Sequence, residues 1–175
     1  MAPPNESNIL NAFQVLQPYL SPQLLQKLEE EIHLAGKAVQ YKLHIKPNYS
    51  IWIRKDGLEK EIKLFPLNKA VYFLFLRHPE GIRVKFLCDY AEELAEIYGR
   101  INHHATSETA LGIARSICDC SQPYIHQQVS KIKASLRKII PEPIASDFYI
   151  SGFNGEPKKI PLQRDFLIDE ASVIN

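Results

Sequence analysis

Apolar residues recur along this chain with two different periods, and the changes of period divide it. Ile9, Leu10, Phe13 and Leu16 share one helical face closed by Pro18, which predicts a short first helix. Ser21-Pro22 has the composition of an N-cap and first helical position. A second helix opens there, with Leu24, Leu25, Leu28 and Ile32 on one side and Gly36 past its end. Its other side, Gln26, Lys27, Glu29, Glu30 and Glu31, reads as a solvated face. From residue 39 the period shortens to two. Tyr49, Ile51 and Ile53 point one way and Ser50, Trp52 and Arg54 the other. Lys55-Asp56-Gly57 then turns the chain, and Ile62 and Leu64 alternate with Glu61 and Lys63: a β-hairpin with Asp-Gly at its turn. Val39, Tyr41, Leu43 and Ile45 predict a third antiparallel strand, ended by Pro47, which has no N–H to donate.

Beyond the sheet the period lengthens again. The dense run Ala70, Val71, Phe73, Leu74, Phe75 and Leu76 predicts a buried helix over 68–78, with Asn68 as its cap and His78-Pro79-Glu80-Gly81 as its stop. Leu87, Tyr90, Ala91, Leu94, Ile97 and Tyr98 continue as a second helix to about Ile101, with Glu92, Glu93 and Glu96 facing out. Residues 99–122 read as a loop carrying a short helix, with Leu111, Ala114 and Ile117 as its stripe. Ser121-Gln122-Pro123 opens the clearest helix, in which Ile125, Val129, Ile132, Leu136 and Ile139 line one side as far as Pro141. Phe148 and Ile150, then Ile160 and Leu162, flank Ser151-Gly152-Phe153-Asn154-Gly155-Glu156 and predict a second hairpin. Residues 165–175 are expected to lie loosely on the surface.

A small sheet, helices, and a closing hairpin form the order of a winged helix-turn-helix domain. Phe65-Pro66-Leu67-Asn68-Lys69-Ala70 stands where such a domain begins its first helix, and Leu74-Phe75-Leu76-Arg77-His78-Pro79-Glu80-Gly81 where it ends it. Gln128-Val129-Ser130-Lys131-Ile132-Lys133-Ala134-Ser135-Leu136-Arg137-Lys138 matches the third helix, and Asp147 to Gly155 the final hairpin. On these segments residues 49–162 resemble the DNA-binding domain of OmpR/PhoB-type response regulators. The Leu-Arg-His-Pro-Glu-Gly stretch is also similar to one in a group of uncharacterised bacterial proteins. The segment between the second and third helices is longer than that family's loop. Residues 1–38 are too short for its phosphoacceptor receiver domain, so control by phosphorylation is not expected. The expected fold class is therefore α+β and mainly helical: an N-terminal helical segment (1–38), a winged-helix-like domain (39–164) with an insertion at 99–122, and a C-terminal tail (165–175).

Charge sharpens the picture only locally. Hydrophobic residues are 45% of the chain and charged ones 23%, an ordinary globular composition, and the formal net charge is +1. Residues 121–164 nevertheless hold seven basic residues against three acidic ones, and the last eleven hold three acidic and no basic ones. With the Ile125 to Leu136 stripe buried, the third helix presents Gln127, Lys131, Ala134 and Lys138, flanked by His126, Ser130, Lys133 and Arg137. Gln and Arg read base edges in a major groove and Lys neutralises phosphate, while Lys158, Lys159 and Arg164 would add backbone contacts from the wing. These eleven residues are the candidate DNA-binding site, with duplex DNA as the expected partner. The same charges also suit a solvated helix face and its C-terminal dipole. The alternative reading is a winged-helix protein-interaction module that meets a partner or a second copy through residues 8–36 and the 99–122 insertion.

Other chemistry is weakly represented. There is no glycine-rich phosphate loop, His-Glu-x-x-His, Cys-x-x-Cys or Gly-x-Ser-x-Gly, so neither a cofactor nor an enzymatic activity is expected. Cys88, Cys118 and Cys120 are too few for a disulfide framework, and no secretory signal or membrane span is recognisable; a cytoplasmic protein is expected. His103-His104 with Cys118 and Cys120 is the best metal constellation, at a spacing that matches no common zinc site. Cys88 is expected to act as a small core residue. Glu92 and Glu96, one turn apart, read as exposed helix charges rather than an acid–base pair. Trp52 and Tyr98 read as packing residues.

Overall fold

The computed structural model describes residues 15, 21–27, 41–119, 121–153 and 155–174, and the chain divides into two compact units, Met1–Lys37 and Ala38–Asn175. In the first unit residues 22–27 are helical. Leu24 N–H donates to Ser21 Oγ at 3.4 Å and Leu25 N–H to the Ser21 carbonyl at 3.0 Å, so the Ser-Pro start caps this helix as its sequence suggests. The rest of that helix and, apart from helical Val15, the expected helix before it lie outside the described residues.

The second unit is α+β. Its sheet has β1 (Lys42–Ile45), β2 (Ile51–Lys55), β3 (Leu58–Ile62) and β4 (Leu167–Asp169) in the order β3-β2-β1-β4. Asp56 and Gly57, both at positive φ (50° and 81°), form the two-residue turn between β2 and β3, and Ile51 pairs with Ile62 at the far end of the hairpin. Leu43, Ile45, Ile51, Ile53 and Ile62 are buried, as alternation requires. β1 adds antiparallel to β2, the third strand expected, although Val39 lies outside the described residues. β1 is also covered on its other side. His44 is buried, with Nδ1 3.1 Å from Glu59 and Nε2 3.0 Å from the Glu170 carboxylate without hydrogen-bond geometry.

The C-terminal residues depart from expectation. Instead of lying loosely, they form β4, which pairs parallel with β1 and matches Leu43 to Leu167 and Ile45 to Asp169. Beyond it Val173 is buried and its carbonyl accepts from Arg77 Nε. The Asp169 carboxylate accepts from the N–H groups of Ala171 (3.1 Å) and Ile174 (2.9 Å), tying the segment down.

α1 (Pro66–Arg77) is the central helix: every residue from Ala70 to Leu76 is buried, the pattern of a helix enclosed on all sides. It starts two residues earlier than expected, with Pro66 in its first turn and Phe65 at the N-cap. Asn68 is therefore an inward-facing residue and not the cap. A 3₁₀ turn over Val84–Tyr90 leads into α2 (Ala91–Ile101). The expected loop with a short helix is in fact a full twelve-residue helix, α3 (Ser107–Cys118), whose N-cap Thr106 accepts from Thr109 N–H at 3.2 Å. Ala110, Ala114, Ile117 and Cys118 bury its inner side. α4 (Tyr124–Arg137) follows a turn tied by Asp119, whose carboxylate accepts from Ser121 N–H (2.8 Å) and Oγ–H (2.7 Å). No helix among the described residues is long and apolar enough to cross a membrane.

The closing hairpin is smaller than its sequence suggests. Phe148 belongs to a 3₁₀ turn (Ile144–Phe148), and the only pairing across the loop among the described residues is Ser151 with Lys159. Pro157 and Pro161 remove the donors a longer ladder would need. A second bridge, Ile82 with Lys158, ties this loop to the segment between α1 and α2.

Candidate nucleic-acid interface

α4 is held by its underside. Ile125, Ile132 and Leu136 are buried among apolar neighbours. Gln128, equally buried, accepts at Oε1 from Asn68 Nδ2 of α1 at 2.8 Å. A buried amide pair of this kind resists sliding or rotation of the helix, because either would strand both polar groups. At the C-terminal end Tyr149 O–H donates to Glu142 at 2.8 Å, and Arg137 lies 3.3 Å from the same carboxylate. Burial and then the Glu142 contact push the Tyr149 phenol up to about 12, so it stays a neutral donor. Lys133 sits 4.7 Å from the Tyr149 ring centre, which braces its ammonium beside the helix.

The outer side of α4 carries eight of the sequence-predicted site residues, and all of them are exposed: His126, Gln127, Ser130, Lys131, Lys133, Ala134, Arg137 and Lys138. The helix contains no carboxylate. The three remaining candidates separate. Lys158 is half-buried, its Nζ donating to the Gly152 carbonyl at 3.2 Å, and exposed Lys159 is next to it on the bridged loop. Arg164 is exposed but starts the 3₁₀ turn that leads into β4, a different element from that loop.

Two cations that sequence reasoning did not single out join this surface. Arg83 and Lys85 follow the bridged residue Ile82, and together with Val84, His126, Phe153, Gly155, Glu156 and Lys158 they line a cavity of about 310 Å³. The alternation Arg83-Val84-Lys85 was the available signal, but its placement depends on a bridge to a residue far along the chain. Among the described residues, neither Arg83, Lys85, Lys158 nor Lys159 forms an ion pair. This corner can therefore present uncompensated positive charge to a polyanion, together with Lys131, Lys133 and Lys138; Arg137 is paired with Glu142.

The other candidates fall elsewhere. His103 and His104 are exposed in the turn before α3, whereas Cys118 is buried at that helix's far end, on the order of 16 Å along its axis. Cys120 lies outside the described residues, among which no group of three potential ligands converges. Cys88 is exposed on the 3₁₀ turn rather than in the core, because the turn points its neighbour Leu87 inward instead. Glu92 and Glu96 are exposed on α2, the latter paired with Arg100 one turn on. Trp52 is half-buried, its Nε1 donating to Ser50 Oγ and Lys46 lying 4.0 Å from its ring centre; Tyr98 O–H accepts from Asn102. Comparisons with protein-family models, with curated proteins and with solved structures find no match to this chain.

Proposed function

We propose that this protein binds duplex DNA through a winged helix-turn-helix module and acts in transcription regulation, with α4 in the major groove and the Gly152 to Lys159 loop against the backbone. The observation that carries the reading is the outer side of α4. Three cations and three further polar side chains, all exposed, stand on a helix with no carboxylate, and exposed Lys138 caps its end, while the chain as a whole is nearly neutral. Gln127 and Arg137 supply base-edge recognition, Lys131, Lys133 and Lys138 the phosphate contacts. The bridges that tie Ile82 to Lys158 and Ser151 to Lys159 support a wing beside the helix, as this architecture requires.

Fluorescence anisotropy with mixed duplexes tests the reading. Contact of about six cations with phosphates gives a slope of log affinity against log salt near −5. Lys131→Glu combined with Lys133→Glu abolishes the binding. Parent-like affinity in that double variant refutes the placement of α4. A protein partner that the double variant retains would instead support the interaction-module reading.

A further inference from the structure

The tip of the bridged loop carries an aromatic ring that the fold does not use. Phe153 is 80% exposed, yet the legs of its loop are held by backbone hydrogen bonds. Ser151 and Lys159 exchange both N–H···O bonds at 2.9 Å, and Ile82 and Lys158 do the same, so both legs of the loop are anchored. Glu156 N–H donates to the Phe153 carbonyl at 3.2 Å and closes a turn at the tip. Gly152 and Gly81 allow the close packing beneath: a Cβ on Gly152 would lie 2.7 Å from the Pro157 carbonyl oxygen, and one on Gly81 2.9 Å from the Pro157 side chain. The ring thus projects from a loop whose two legs are anchored.

Its surroundings indicate what it meets. Phe153 shares its cavity with Arg83, Lys85, His126 and Lys158, against the single carboxylate of Glu156. Phe86, 49% exposed, lies beside Lys85, and Tyr124, 40% exposed, opens α4 two residues before His126. The centre of a protein–protein interface is depleted of charged residues, lysine among them. Exposed aromatics set among unpaired cations match the two surfaces of a nucleic acid, stacked bases between anionic rails.

We propose that Phe153 is a wedge that inserts between base pairs of the duplex next to the groove held by α4 and kinks it, while Arg83, Lys85 and Lys158 hold the flanking phosphates. This inference rests on the duplex-binding reading above. It adds a deformation step, so the preferred sites contain easily unstacked pyrimidine–purine steps at the position under the loop.

The test uses the full chain and a duplex labelled at both ends, with end-to-end energy transfer reporting the bend and anisotropy reporting affinity. The parent is expected to bend the duplex by about 20–90°. Phe153→Ala removes the bend and weakens binding by roughly tenfold to a hundredfold, leaving the salt slope unchanged because no cation is lost. Phe153→Leu, which keeps an apolar wedge, retains most of the bend. A parent that binds straight duplex, or a Phe153→Ala variant that bends it as well as the parent does, overturns the wedge while leaving duplex binding intact. Absence of duplex binding by the parent removes both. Equal affinity for the single strand, without a bend in the duplex, also overturns the wedge.

Discussion

His78 closes α1 between two carboxylates: Nδ1 is 2.8 Å from Glu80 and Nε2 2.9 Å from Glu93, which also takes Arg77 at 3.1 Å. The Tyr90 ring meets the imidazole edge-on, with centroids 4.8 Å apart. Partial burial pushes the imidazole toward neutrality, but the hydrogen bonds it donates to Glu93 and Glu80 outweigh it, and its pKa lies above the ordinary 6.5. A histidine raised in the folded state stabilises fully below its unfolded value, and that contribution disappears as pH rises through the folded value. Thermal melts should therefore show the parent's advantage over His78→Gln shrinking as pH rises above the ordinary histidine value of 6.5; a constant gap would contradict the ion pairs. The Asn68–Gln128 pair makes a different kind of contribution. Asn68→Leu alone leaves a buried amide unsatisfied and should cost about 1–3 kcal/mol in urea unfolding. Adding Gln128→Leu should recover most of that loss, since neither polar group then remains unpaired. Equal losses in the single and double variants would mean the bond does not hold α4 to α1.

At the scale of elements, β4 is the least conspicuous piece and one of the more consequential. It gives β1 its second neighbour, and the segment beyond it buries Val173 and engages Arg77. Ending the chain after Phe166 should lower stability by at least about 2 kcal/mol, mostly from lost apolar burial, and hence the melting temperature by several degrees. An unchanged melting temperature would show that the strand is dispensable. Nothing in the sequence announced it: Leu167-Ile168 is too short to alternate, and the strand exists because a partner more than a hundred residues away offers an open edge. The Ile51 to Ile62 hairpin and α4 were legible for the opposite reason, since a local turn signal fixes one and a long single period the other. α3 lay between these cases. Its stripe was visible, but its inner side is partly alanine, which contrasts weakly with the polar residues around it. The same division runs through the candidate site. The outer side of α4 follows from helical period alone, whereas Arg83 and Lys85 reach it only through the Ile82–Lys158 bridge.

For the whole molecule, a formal charge of +1 means that long-range attraction to DNA is weak, so the proposed binding must depend on where the cations stand. At physiological ionic strength a charge is felt over about 8 Å. Two reversed charges anywhere on the chain alter the net value equally; only those within that range of the phosphates should alter affinity. Lys42 and Arg54 provide the comparison: both are exposed, they face each other across the β1–β2 register, and they belong to the sheet rather than to α4. Lys42→Glu with Arg54→Glu takes the protein to the same net charge as Lys131→Glu with Lys133→Glu and keeps a like-charged pair across the strands, which limits any folding effect. Anisotropy titrations at one salt concentration should place the sheet variant within about twofold of the parent and the α4 variant beyond measurable binding. Equal losses in the two variants would mean that a diffuse field attracts DNA, with no face of the molecule docking it. A loss confined to the sheet variant would move the interface off α4 altogether.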